Sequence, residues 1–325
     1  LEGRCGLRSF PEWEKLTGQR CAVGGPAENY FLPELSRQIR RSMSKMSEMG
    51  LSAVYQALQQ SDLPMDGPKN RMLLALGSTI GSPQVFQDFF HKYFEKGGPE
   101  GQPSTAFLKT MNHALAANVA MALPFDGPLI APGSACTTSS QNIILGWELI
   151  QSGLYDVVIA GGADELHPNS AAVFDIVYAA STHYNDKPQQ ASRPFDKNRD
   201  GLVVSEGAGV VILESEDHLR ARKGRALAEV LGGAYLCDGQ HMTHAQASSM
   251  ARVMEVALDR AKIKAAEIQY VNAHATSTLV GDAEEAAATR AVFGSQVPVS
   301  SQKGHLGHSL AACGALEVIS TVMMM

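Results

Sequence analysis

Short apolar runs of buried-strand length alternate along this chain with longer stretches of helical periodicity, and few fold classes accept that alternation. Arg71 to Leu76, Leu129 to Ala131, Asp156 to Ala160, Gly201 to Glu214 and Leu227 to Tyr235 predict strands. Between them, Met43, Met46, Met49, Leu51, Val54 and Leu58 recur at helical spacing from Ser42 to Gln60. Further helical patterns cover Pro83 to Phe94, Ala106 to Ala122, Thr137 to Gln151 and the charged stretch Glu216 to Lys223. The order then repeats: helix Ala245 to Ala261, strand Ile268 to Asn272, helix Asp282 to Phe293, strand Val297 to Ser300, and a last helix from Leu310. The first 35 residues, interrupted by Pro11, Gly24, Gly25, Pro26 and Pro33, read as loop, as does Cys237 to His244. The pattern is mixed α/β in two successive halves, 1–215 and 216–325, with no linker between them.

Composition removes the other classes. With 45% hydrophobic and 18% charged residues over 325 positions, the chain is globular and long enough for a large core. A net charge of -6, with Lys and Arg dispersed, argues against nucleic acid as a partner. The clusters Arg37 to Arg41 and Arg220 to Arg225 read as solvated helix faces or as local contacts for an acidic partner. Five cysteines, odd in number, far apart and without a C-x-x-C pair, fit neither a disulfide framework nor a structural zinc site, and point to a reducing, cytoplasmic setting. No run of about 18 uncharged apolar residues is present and the first residues lack the order of a signal peptide, so a soluble protein without a membrane span is expected.

Three predicted strand ends carry chemistry. Ser134-Ala135-Cys136-Thr137-Thr138-Ser139-Ser140 places a cysteine where a strand passes into a helix. The unpaired N–H groups and positive end of the helix dipole there favour thiolate over thiol and can hold an oxyanion. A cysteine on its own is more often a small buried filler, so its surroundings decide. Those surroundings are His274, leaving a strand in Asn272-Ala273-His274-Ala275-Thr276-Ser277-Thr278, and His308, in the Gly-rich loop Lys303-Gly304-His305-Leu306-Gly307-His308. Convergence of Cys136, His274 and His308 in one pocket is expected. The i, i+3 pairs His305/His308 and His241/His244 lack an Asp or Cys at ligand spacing, so no metal is expected.

On these motifs the sequence resembles the β-ketoacyl-acyl-carrier-protein synthases, the condensing enzymes of fatty-acid and polyketide synthesis, from about Met72 to Val322. Ser134 to Ser139 is similar to the family's nucleophile motif. His274 to Thr278 is similar to its H-G-T-S-T motif with Ala for Gly, and Lys303 to His308 to its K-x-x-x-G-H motif. Arg193-Pro194-Phe195-Asp196 and Gly207-Ala208-Gly209-Val210-Val211 match two further family segments. Asp164 to Pro168 and Ala172 to Asp175 look most similar to discrete type II enzymes of specialised pathways such as aryl polyenes.

The resemblance implies a thiolase-like fold, five αβαβα layers from two similar halves, as a homodimer or a heterodimer with a related subunit. It implies that Cys136 takes the acyl chain from acyl-carrier protein and that His274 and His308 polarise the malonyl thioester carbonyl while carbon dioxide leaves. Lys303 would tune that loop with Glu317, and Thr276, Thr278 and Thr243 would hold the phosphopantetheine arm. The substrates ride on that arm, so no separate cofactor is implied. The family's N-terminal glycine-rich strand and C-terminal G-F-G-G segment are not found, and the chain reads as trimmed at both ends. A non-catalytic chain-length factor, which usually lacks the cysteine, and a thiolase, which pairs its nucleophile with a second Cys and one His, are the competing readings.

Overall fold

The computed structural model describes residues 3–240 and 245–325. Among these residues the strands are β1 (Arg8–Ser9), β2 (Val23–Gly24), β3 (Met72–Gly77), β4 (Leu129–Ile130), β5 (Val157–Asp164), β6 (Gly207–Glu214), β7 (Val271–Asn272) and β8 (Val299–Ser300). The α-helices are α1 (Arg37–Arg40), α2 (Lys45–Ser61), α3 (Pro83–Lys96), α4 (Ala106–Lys109), α5 (Ala114–Ala122), α6 (Thr138–Gln151), α7 (Pro168–Ile176), α8 (Glu216–Ala221), α9 (Ala247–Ala261), α10 (Leu279–Phe293), α11 (Lys303–Leu306) and α12 (Cys313–Met324).

Two compact units are formed, each from three stretches of chain: Leu1–Pro26, Pro168–Ser205 and Glu229–His308 in the first, and Ala27–His167, Glu206–Ala228 and Ser309–Met325 in the second. Compactness therefore cuts across sequence order. The cause is visible in the second unit, where β6 pairs with β5 along its whole length and the last helix, α12, packs on that same sheet.

The second unit is built on a sheet of order β4-β3-β5-β6, parallel except for β6. Every residue of β3 and β5 is buried, as expected of central strands covered on both faces. The two-residue period divides β3 cleanly. Leu74 and Leu76 pack with Met46, Leu51, Val54, Leu115 and Val119 from α2 and α5, whereas Leu73 and Ala75 pack with Ile143 of α6 and Ala315 of α12. Each fully buried leucine contributes about 2 kcal/mol by its removal from water.

Because β3, β4 and β5 are parallel, their C-terminal ends lie along one edge, where loops of α/β sheets carry function. β3 runs into Ser78 and Thr79, β4 into the loop holding Cys136, and β5 ends at Asp164. Asp164 is buried and accepts from Ser78 Oγ (2.6 Å), Thr79 N (3.0 Å) and Ala311 N (2.7 Å), which ties the three segments together. Burial raises its pKa, against the pull of those donors. Glu165 likewise serves the fold, accepting from Ser82 Oγ (2.6 Å) and Met46 N (3.1 Å).

In the first unit β1 pairs antiparallel with β2 and β7 pairs parallel with β8, while Leu7, Val23, Ala191 and Val203 form an apolar core and α9 packs on α10. Three expectations are corrected. The N-terminal loop contains the β1/β2 pair, which is too short to leave a periodic signal. The predicted helix Ala106 to Ala122 is broken into α4 and α5, where Thr110 Oγ1 donates to Phe107 O (2.6 Å) and the Asn112 amide to Thr79 O (3.2 Å). Leu227 to Tyr235 forms no strand; Leu227, Val230, Leu231 and Tyr235 are exposed, and β-propensity without a paired edge does not make a strand.

Gly77 closes β3 under the Cys136 loop. A Cβ there would stand 1.9 Å from Pro132 O and 2.7 Å from Thr138 Cγ2. Gly77→Ala is expected to lower stability by about 3 kcal/mol through overpacking, read as a fall in the urea midpoint.

Candidate active site

Cys136 sits two residues ahead of the first helical residue of α6. The turn that delivers it is backbone-strained: Ala135 has φ +46°, a left-handed conformation that costs an L-residue about 1 kcal/mol. Thr138 offsets the strain by holding both sides of the turn. Its hydroxyl accepts from Ser134 N (2.8 Å) and donates to Ala135 O (2.7 Å), while its own N–H bonds Ala135 O (3.1 Å). Cys136 is half-buried and precedes the amino end of a 14-residue helix, whose dipole favours a thiolate there.

The histidines belong to the other unit. His274 follows β7, and His308 follows β8 through α11 and Gly307. Their rings stand edge to face with centroids 5.1 Å apart. His308 is 2% exposed and its backbone is laid down like a strand residue, N–H to Val203 O (2.8 Å) and C=O from Ser205 N (2.9 Å). Gly307 allows this approach: its φ is +71°, and a Cβ would crowd Leu7, Ser205 and Val203 O, each at 3.0 Å. The turn at His274 is held by Glu285 of α10, whose carboxylate accepts from His274 N (2.7 Å) and Ala275 N (2.6 Å). Ser301 Oγ donates to Ala275 O (2.7 Å).

Segment 192–199 fastens both histidine loops. Ser192 Oγ donates to Lys303 O (2.6 Å), Arg193 N to Ser277 Oγ (3.0 Å), Phe195 N to Asp282 Oδ2 (2.8 Å), and Arg199 Nε to Thr278 O (2.9 Å). Arg199 also pairs with Asp282 at 3.6 Å. The Arg193-Pro194-Phe195-Asp196 motif is thus a strap, with Phe195 in the left-handed region at φ +64°.

Lys303 is buried and its Nζ lies 3.3 Å from His274 Nδ1. An ammonium only donates, so His274 Nδ1 is the acceptor and the ring proton sits on Nε2. The packing of protein around the ring, and then the Lys303 charge, hold the His274 imidazole well below its ordinary pKa. The His274 side chain is itself exposed, with the Lys303 ammonium directly beside its ring. His308 is lowered by burial first, then by His274 and Lys303. Both rings are therefore neutral N–H donors at pH 7. Burial raises the Glu285 carboxyl, against two backbone N–H groups and the Lys303 charge.

Among the sequence-derived candidates, His274, His308, Lys303, Thr276 and Thr278 come together in one unit, and the two threonine hydroxyls lie 3.2 Å apart. Cys136 and Glu317, the latter on α12, belong to the other unit. Thr243, like His241 and His244, lies outside the described residues. His305 is exposed whereas His308 is buried, so the two differ in access to any common ligand. Glu285 and Asp282 were not singled out from sequence, although acidic residues in the first turns of the helix following His274 were a readable signal.

Family models for the N-terminal and C-terminal domains of β-ketoacyl synthase match residues 1–218 and 227–325. The chain is 36% identical over 330 residues to 3-oxoacyl-[acyl-carrier-protein] synthase 1 of Escherichia coli K12, covering 100% of this chain and 80% of that protein. It is 37% identical over 297 residues to 3-oxoacyl-[acyl-carrier-protein] synthase 2 of Vibrio cholerae, covering 89% and 71%. Among solved structures it resembles a β-ketoacyl synthase from Burkholderia phymatum with TM-score 0.94 and 39% identity, covering 99% of this chain and 79% of that one. A type II polyketide ketosynthase in complex with its acyl-carrier protein gives TM-score 0.89 and 27% identity at the same coverage, 99% and 79%.

The Lys303 contact is testable by titration. Below the ordinary histidine value of about 6.5 an unfolded chain protonates His274 while the folded chain does not, so this group's contribution to stability is present above that pH and is lost as pH falls. NMR of the His274 ring is expected to show no titration between pH 7 and about 5 in the wild type, and a midpoint moved up towards 6.5 in Lys303→Met.

Proposed function

The chain belongs to the β-ketoacyl synthase family and has its thiolase-like fold, and from that premise we propose how its own residues carry out decarboxylative condensation. Cys136 attacks the acyl thioester of an acyl-carrier protein, the carrier's phosphopantetheine thiol leaves, and the acyl chain rests on Sγ. A malonyl thioester then binds with its carbonyl oxygen towards His274 and His308. The C–C bond to the carboxylate breaks, carbon dioxide departs, and the electron pair becomes an enolate. The enolate carbon attacks the acyl-Cys136 carbonyl, and collapse of the tetrahedral adduct frees the thiolate and a chain longer by two carbons.

The observation that carries this reading is the pair of neutral imidazoles 5.1 Å apart beside Lys303. Two N–H donors stabilise the enolate oxygen without protonating the nucleophilic carbon, which an imidazolium would do. In this reading Thr276 and Thr278 would hold the phosphopantetheine arm together with Thr243, and Glu317 would support Lys303 in tuning the loop that bears His308. The substrates arrive carrier-bound, so no cofactor of the protein's own enters the scheme. A homodimer, or a heterodimer with a related subunit, in the cytoplasm completes the proposal; no helix among the described residues is long and apolar enough to cross a membrane.

Arg37 and Arg41, exposed on and just after α1 and grouped with Gln38, Ser104 and Thr105, support an acidic carrier protein as the partner. Arg37→Glu with Arg41→Glu is expected to raise KM for carrier-bound malonyl at least about tenfold, and to leave turnover of a short pantetheine thioester within about twofold.

Carbon dioxide release from malonyl-acyl-carrier protein tests the chemistry. Cys136→Ser is expected to abolish condensation, while Cys136→Gln still decarboxylates because a side-chain amide imitates the acyl-enzyme. His308→Ala is expected to lose about 10²-fold or more in decarboxylation, one donor having gone from the enolate oxygen. No release by the wild type would sink the assignment.

A further inference from the structure

The amino end of α12 is docked on the amino end of α6, within one unit, through three consecutive residues. The buried Cys313 thiol donates to the Cys136 carbonyl oxygen at 3.2 Å. Gly314 presents a bare Cα to Ser140, where a Cβ would fall 1.9 Å from Oγ. Ala315 N–H donates to Ser139 Oγ at 3.0 Å. The first of these contacts acts on the peptide plane between the residue after strained Ala135 and the first turn of α6.

We infer that Cys313 is a positioning residue for the nucleophile: its thiol fixes the Cys136–Thr137 peptide plane, and with it the direction in which the Cys136 side chain leaves the backbone. This rests on the reading of Cys136 as the acyl acceptor. A cysteine used only as apolar filler needs no acceptor, whereas the Cys313 thiol stands at hydrogen-bond distance from the carbonyl of the reactive residue. Attack on a thioester depends on a thiol held within a narrow angle, so a plane left free to rock lowers the fraction of time Sγ is correctly aimed. Gly314 and the Ala315–Ser139 bond keep the two helix ends close enough for the weak donor to act.

The test is the rate at which iodoacetamide labels Cys136 in the full chain, followed by peptide mapping. In the wild type Cys136 is expected to react before Cys5, Cys21, Cys237 and Cys313. Cys313→Ala should slow it by about three- to tenfold, the range a weak hydrogen bond supplies, and Cys313→Ser should restore it to within about twofold because a hydroxyl keeps the donor. Labelling of Cys136 that Cys313→Ala leaves unchanged, or that Ser rescues no better than Ala, overturns the inference alone. Labelling of another cysteine first in the wild type overturns the nucleophile reading and this inference with it. If Cys313→Ala does not fold, the infrared S–H band lost in Cys313→Ser decides: a hydrogen-bonded frequency supports the inference, and a free-thiol frequency overturns it.

Discussion

One buried ammonium sets the acid–base character of this protein. Lys303 has its Nζ 3.3 Å from a ring nitrogen of His274, whose ring is in turn edge-on to His308. Three groups that bind protons are crowded into a space where more than one positive charge is costly. Burial and the Lys303 charge hold both imidazoles below their ordinary range, so neither carries a proton at neutral pH. Glu285 supplies a nearby negative charge and at the same time accepts the two backbone N–H groups that shape the His274 turn. Electrostatics and backbone geometry are thus settled by the same few atoms, and the tautomer of His274 follows from the fact that an ammonium has nothing but donors to offer.

The nucleophile turn is governed by a different economy. Ala135 occupies a conformation that glycine would accept freely, and the strain is offset by a single threonine hydroxyl bonded on both sides of it. The sheet below has to leave room, which it does by ending β3 in a residue without a side chain. Asp164, at the corresponding end of β5, gathers the loop after β3 and the turn before α12 around one buried carboxylate. Parallel strands, a glycine floor and a buried anion together make a fixed platform at one edge of a sheet.

Much of this was legible in the chain. The strands β3 and β5 announced themselves as continuous apolar runs because they are covered on both faces, and Cys136, His274 and His308 could be placed at strand ends by the change from apolar to small and hydroxylated residues. What could not be read was long-range partnership. Nothing near Arg193 in sequence says that its backbone will bond Ser277, and nothing near Glu285 says that it will hold the turn ten residues before it. Leu227 to Tyr235 misled for the same reason: alternation and β-branching are local, whereas a strand requires a neighbour. The interleaving of the two compact units was hidden because β6 and α12 return to a sheet begun more than a hundred residues earlier.

The strap formed by residues 192–199 carries a consequence for how the histidine pair tolerates change. It grips the loop of His274 through Ser277 and Thr278 and the loop of His308 through Lys303. A disturbance of the strap thus reaches the loops of both rings at once. Substitutions in the strap and in either loop are therefore coupled errors. Their costs are not independent, because the same hydrogen bonds serve both loops.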